Sequence, residues 1–193
     1  MRTAYALLGV VWLIIIAAGF YAFNHRFIPK EDTSRMTISA LTLASPAFEA
    51  GASIPSKFTC DGEHINPSLS ISGVPEGARS LALIMDDPDV PKALRPDGVF
   101  DHWVLFNIPP DTKEIPESGS AGVVGANGAG KNAYAGPCPP TQYEPSEHRY
   151  FFKLYALDAT LSLQEGATKA EIEKAMQGHI VAQTELVGRY KRQ

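Results

Sequence analysis

The apolar stretches of this chain are short, and many end at proline or at turn-forming residues. Ser80–Met85 (SLALIM) stops at Asp86-Asp87-Pro88-Asp89, and His102–Ile108 (HWVLFNI) stops at Pro109-Pro110. Runs of this length suit strands better than helices, and a proline cannot donate to the ladder that would extend them. The 15 Pro and 16 Gly among 193 residues lie largely between such runs. The pattern predicts a turn-rich, mainly β domain with few helices.

Five further strands or breaks follow from the same reading. Thr37–Leu43 alternates weakly and is expected to be a first strand, and Leu69–Ile71 to begin another. Arg149–Leu157 (RYFFKLYAL) is an aromatic-rich strand with Lys153 at an exposed or rim position. Asp61–Pro67 and Glu117–Lys131 carry turn formers and read as loops. Thr168 and Glu171 have capping-box spacing. Ile172, Ala175, Met176, His179, Ala182 and Leu186 then follow at helical intervals. The expected helix therefore runs on towards Gly188 as its stop.

The N-terminus has a different composition. Residues 4–23 (AYALLGVVWLIIIAAGFYAF) carry no charge, and about 20 apolar residues at 1.5 Å each span a hydrocarbon core. Residues 1–3 then form a short tail, 4–23 a single-pass transmembrane anchor, 24–37 a polar linker, and 38–193 the folded domain. A cleaved signal peptide is the rival. Its only cleavage candidate, Ala17-Ala18-Gly19, is followed directly by Phe20-Tyr21, so an uncleaved anchor is the expectation. Arg26, Lys30 and Arg35 beyond the span favour a cytoplasmic domain by the positive-inside rule. The very short tail and the two cysteines favour the extracytoplasmic side, which is the expected localisation.

The formal charge of −4, without a basic stripe or nucleic-acid motif, excludes nucleic acid as a partner. Cys60 and Cys138 form no CxxC pair, which excludes a zinc ribbon. Spacing leaves open whether they join or remain separate thiols.

Three polar clusters end apolar strands: Asp86–Pro91, Asp101-His102-Trp103, and Gly136–Pro140 followed by His148-Arg149-Tyr150. Such groups can converge on one rim of a rigid scaffold. A metal site is disfavoured, since HxH, HExxH and HxxxH spacings are absent, and no cofactor is implied. A serine hydrolase lacks its GxSxG elbow. A Cys138 thiol with His148 or His102 remains a weaker hydrolase option, because flanking prolines limit oxyanion-hole donors. An anion pocket fits better: imidazole N–H groups and the Tyr150 O–H donate, Gly136 permits close approach, and a carboxylate beside a histidine fixes its tautomer. His179 is expected to pack on the last helix and Trp103 in the core. His25 and His64 have no evident partner.

Read in order, these motifs resemble the phosphatidylethanolamine-binding protein family, in particular its bacterial, Raf-kinase-inhibitor-like branch. FTCDGEHINPSL, DDPDVP, DHWVLFNIP, YAGPCPP with HRYFFKLYALD, and MQGHIVAQTELVGRY carry the resemblance, over about residues 38–190. It implies a β-sandwich of a large antiparallel sheet and a smaller one, with few helices and a C-terminal helix. It also implies a pocket for phosphate-bearing ligands and small anions. By motif position, Asp87, Asp89, His102, Gly136, His148 and Tyr150 form or support that pocket, and Pro137 and Pro139 shape its wall. Val90 departs from the usual Ala, His64 and Asn66 from Asn and Ser, and Thr141–Glu147 is longer than the usual link. The apolar N-terminal run lies outside the family pattern.

The expected function is a membrane-tethered binding protein, not an enzyme, that takes a small anion or phosphorylated ligand and modulates a protein partner. The alternatives are a protein-interaction regulator of a protease or kinase with a vestigial pocket, and a hydrolase.

Overall fold

The computed structural model describes residues 40–192. The anticipated anchor, its linker and the first three residues of the first expected strand, 37–39, lie outside these residues. Among the described residues no helix is long and apolar enough to cross a membrane.

The described chain is mainly β, with two antiparallel sheets and one α-helix. Strands β1 (Thr42–Ala44), β2 (Leu69–Ser72) and β5 (Glu114–Ile115) form a small sheet in the order β1-β2-β5. Strands β3 (Ser80–Asp87), β4 (Phe100–Ile108), β6 (Val123–Val124), β7 (Glu147–Leu157) and β8 (Ile180–Lys191) form a larger one in the order β6-β4-β3-β7-β8. β3 is buried along its whole length because both faces of the large sheet are covered. One face packs Leu81, Leu83, Met85, Trp103 and Phe152 against Leu43, Leu69, Ile71 and Ile115 of the small sheet. The opposite face packs Ala82, Ile84, Val104 and Phe106 under Ile172 and Met176 of helix α1 (Lys169–Met176).

The capping box at Thr168 and Glu171 starts α1 as expected. The long C-terminal helix does not form. α1 ends at Met176, Gly178 takes φ +80°, and residues 180–191 become β8, paired residue by residue with β7. The sequence supports two periods here. Ala182, Leu186 and Met176 fit a helical stripe, but Ala182, Thr184, Leu186, Gly188 and Tyr190 also alternate inward at period two. The open edge of β7 satisfies eleven residues of backbone at once, and the strand wins. Gly188 is no helix stop. A Cβ there would lie 2.5 Å from the buried Ile54 side chain, so only glycine lets the 51–54 segment close over β8.

Candidate anion-binding site

Adjacent residues of a strand face opposite ways. At the end of β3 this sends Asp86 towards the helix-covered face and Asp87 towards the face shared with Met85. On β4 the alternation is broken: Met85 pairs with Trp103 but Asp86 pairs with Asp101, leaving His102 as the extra residue of a β-bulge. A bulge of this kind re-aims a side chain. His102, Phe100 and Asp87 consequently all line one cavity, of about 460 Å³, with His148 from β7.

Each polar group there has a defined partner. His148 is fully buried, and its Nδ1 lies 2.7 Å from Asp87 Oδ2. The other Asp87 oxygen accepts the Asp89 N–H at 2.8 Å. Burial raises the Asp87 pKa above the usual carboxylate value, against the opposing pull of His148 and the Asp89 amide. His148 Nε2 is buried without a hydrogen-bond partner, and so is the Tyr150 hydroxyl. Burial, followed by the nearby Asp87, raises the Tyr150 pKa. His102 donates Nδ1–H to the Ala135 carbonyl at 2.6 Å, and burial pushes its pKa down to about 4. Its ring meets Phe100 and Tyr150 edge-on, with centroids 4.7 and 5.2 Å away.

The wall opposite is a strip of chain, 134–140, fastened to the loop after Pro55. Cys60 and Cys138 form a disulfide with Cα atoms 5.4 Å apart, so neither is a free thiol. The Cys60 N–H donates to Pro137 O, and the Tyr134 hydroxyl to Phe58 O. At Gly136 a Cβ would lie 2.7 Å from Phe58 O and 3.0 Å from Thr59 Cα, both backbone atoms that cannot turn aside. Gly136 is thus required for the wall to seat. The Gly136 N–H donates to His64 Nε2 at 3.1 Å.

The expected residues divide into three groups. Asp87, His102, Gly136, Pro139 and His148 line the cavity. Tyr150 sits beside it, buried against His102. Asp89 and Pro137 support it from behind. Asp89 is held by Arg149 through Nε and the main-chain N–H, both at 2.9 Å, and through NH2 at 2.7 Å. Those bonds hold its pKa low.

Several residues escaped the sequence reading. His64, expected to be unpartnered, lines the cavity and accepts from Gly136. Arg95 and Phe100 also line it, with the guanidinium 5.3 Å from the Phe100 ring centre and NH1 donating to Gly128 O at 3.1 Å. Arg95 lies in a Pro- and Gly-rich stretch whose only signal was turn composition. His179, expected to pack on a helix, instead caps the turn before β8, with Nδ1 2.8 Å from Asp158. With Cys138 in a disulfide, the thiol-nucleophile reading has no nucleophile in the oxidised chain. Among the described residues no cluster of three or more His, Cys, Asp or Glu is arranged for a metal ion.

Comparison with known proteins agrees with this architecture. The family model described as phosphatidylethanolamine-binding protein matches residues 44–191. A UPF0098 protein of Methanothermobacter thermautotrophicus is 46% identical over 159 residues, covering 79% of this chain and 99% of that protein. A solved structure described as a phosphatidylethanolamine-binding protein homolog from Chlamydia trachomatis is 45% identical, covers 80% of this chain and 99% of its own, and superposes with a TM-score of 0.76. Escherichia coli YbcL, described as a new member of the mammalian family, is 26% identical with a TM-score of 0.70, over 79% of this chain and 99% of its own. The motif order, the two-sheet fold and these matches give one answer: the chain belongs to the phosphatidylethanolamine-binding protein family.

Proposed function

We propose that the chain is a binding module, not an enzyme, whose cavity holds a small anion or a phosphorylated ligand between His102 and the Asp87–His148 pair. One observation carries this reading. Nε2 of His148, a cavity-lining ring, and the hydroxyl of Tyr150 beside the cavity are buried without hydrogen-bond partners. Such atoms cost about 1–3 kcal/mol each when left unsatisfied, and a bound oxyanion relieves that cost. The cavity exceeds what a phosphate ion fills, and its walls are largely apolar: Val90, Leu94, Phe100, Pro139 and Pro140. An organic body attached to the anion fits that lining.

The module is tethered to a membrane through residues 4–23 and faces the extracytoplasmic side, where it modulates a protein partner. The Cys60–Cys138 bond favours that compartment, since disulfides persist where the surroundings are oxidising.

The test is thermal unfolding of the full chain in detergent. Millimolar phosphate or phosphoethanolamine is expected to raise the midpoint by several degrees, and His148→Ala to abolish the rise. The absence of any shift in the unaltered chain would refute the pocket.

A further inference from the structure

We propose that the Cys60–Cys138 bond is a redox latch: a dithiol reductant cuts it, frees the strap of residues 138–146, and so opens one wall of the cavity. The loss of ligand that follows from an open wall rests on the anion-binding reading above; the latch itself does not.

The strap runs from the cavity wall to the start of β7 and holds prolines at 139, 140 and 145. A proline has no N–H to give, so this stretch is poorly suited to being fastened by a ladder. Among the described residues its hydrogen bonds stay within it. Tyr143 N–H donates to Pro140 O at 3.3 Å, and Ser146 N–H to Glu144 Oε2 at 2.8 Å. The chain just before the strap is held differently. Ala135 N–H donates to His102 O, Gly136 N–H to His64 Nε2, and Pro137 O accepts from Cys60 N–H. Beyond Pro137, the bond that ties the strap to another part of the chain is the disulfide.

The other end of that bond is a fixed post. Next to Cys60, the Asp61 carboxylate accepts from the Tyr190 hydroxyl at 2.7 Å and from Arg192 Nε at 3.1 Å, which pins the loop to the end of β8. The strap carries Cys138, Pro139 and Pro140 into the cavity lining. With the bond cut, it is restrained at its two ends and by packing alone. The ladders joining β3 to β4 and β7 contain no strap residue, so the change stays local.

The bond is open to attack, since Cys138 is exposed and Cys60 half-buried. A thiolate of the reductant attacks the Cys138 sulfur, the S–S bond breaks, and Cys60 leaves as a thiolate and takes up a proton. The reductant's second thiol then displaces Cys138 from the mixed disulfide. Two electrons and two protons pass to the protein, and the reductant ends as its own disulfide.

The experiment compares the full chain in detergent before and after dithiothreitol, without denaturant, and includes the double variant Cys60→Ser/Cys138→Ser. Limited digestion by a protease that itself lacks disulfides reads the strap, and isothermal titration with inorganic phosphate reads the cavity. Cleavage within 138–146 is expected to run about tenfold faster in the reduced chain and in the double variant, with β4 and β7 left uncut. Phosphate is expected to bind roughly fivefold more weakly in both. A bond that resists dithiothreitol in the folded chain would overturn the proposal, as would equal cleavage of the strap in both states. New cuts within β4 and β7 would also overturn it, and would make the bond a staple of the whole fold. Faster cleavage with unchanged phosphate affinity would overturn its control of binding. Absence of phosphate binding in the oxidised chain would overturn the pocket instead, while the digestion still decides the latch.

Discussion

Asp86 and Asp87 are consecutive carboxylates on one strand, both almost fully buried, and they meet opposite fates. Asp86 faces the helix side, where Lys169 reaches Oδ2 at 2.7 Å and Lys153 reaches it at 2.9 Å. Lys169 also lies 3.2 Å from Asp101. Burial works against the Lys169 charge, but its bonds to Asp86 outweigh that and raise its pKa. Asp87 faces the sandwich side, where its side-chain partner is an imidazole that still has a nitrogen to spare. The lysines compensate the first charge through Oδ2; its Oδ1 is also buried without a hydrogen-bond partner, but Asp86 does not line the cavity. The second pair is incomplete and borders a cavity. Burial of charge alone therefore does not mark a site; what marks one here is a missing partner together with a cavity to fill.

Three experiments press on this contrast. The largest stability effect is expected from Asp86→Ala, which strips two lysines of their shared carboxylate. A loss of about 2 kcal/mol is expected, below the usual figure for a fully buried pair because Lys153 can turn to solvent. Urea unfolding measures it, and phosphate protection should survive. Loss of that protection would merge the two faces into one site.

Acid titration probes the pocket face. The His102 pKa is lowered to about 4 from an ordinary 6.5. Between those values the unfolded chain binds more protons there, so its contribution to stability is present above about pH 6.5 and is lost as pH falls towards 4. Asp87 has the opposite sign. Its raised pKa gives a contribution that is full below its unfolded value and disappears as pH rises through its folded one. Stability measured between pH 7 and 4 should therefore fall less steeply in His102→Gln than in the unaltered chain. An unchanged slope would remove His102 from the account.

The smallest change in stability is expected from Asp87→Asn, under about 1 kcal/mol at pH 7, because removing a buried charge offsets the weaker hydrogen bond to His148. Phosphate protection should nonetheless disappear. A variant that loses more than Asp86→Ala would reverse the assignment of the two carboxylates.

Much of this was legible in the residues. The strands Ser80–Asp87, Phe100–Ile108 and Glu147–Leu157 stand within a few residues of where apolar runs and prolines placed them. Polar clusters at their ends supplied the five expected site residues that line the cavity. Two kinds of information were hidden. Residues 177–191 carry both a helical and a strand period, and only the open edge of β7 chooses between them. His64 and Arg95 come from loops whose composition signals turns but not direction. Their place at the cavity depends on the Gly136 contact of His64 and the Gly128 carbonyl held by Arg95, both long-range. The direction of His102 was likewise invisible, because a bulge adds one residue without leaving a mark in the pattern.

The Cys60–Cys138 bond has a topological result. It joins cysteines separated by 78 in sequence and so closes a covalent ring that contains Asp87, Arg95 and His102, while His148 lies outside it. A protease that nicks the 91–98 turn opens the ring without releasing a fragment. Such a nicked molecule would migrate as one species on a denaturing gel and separate into two only after treatment with a thiol.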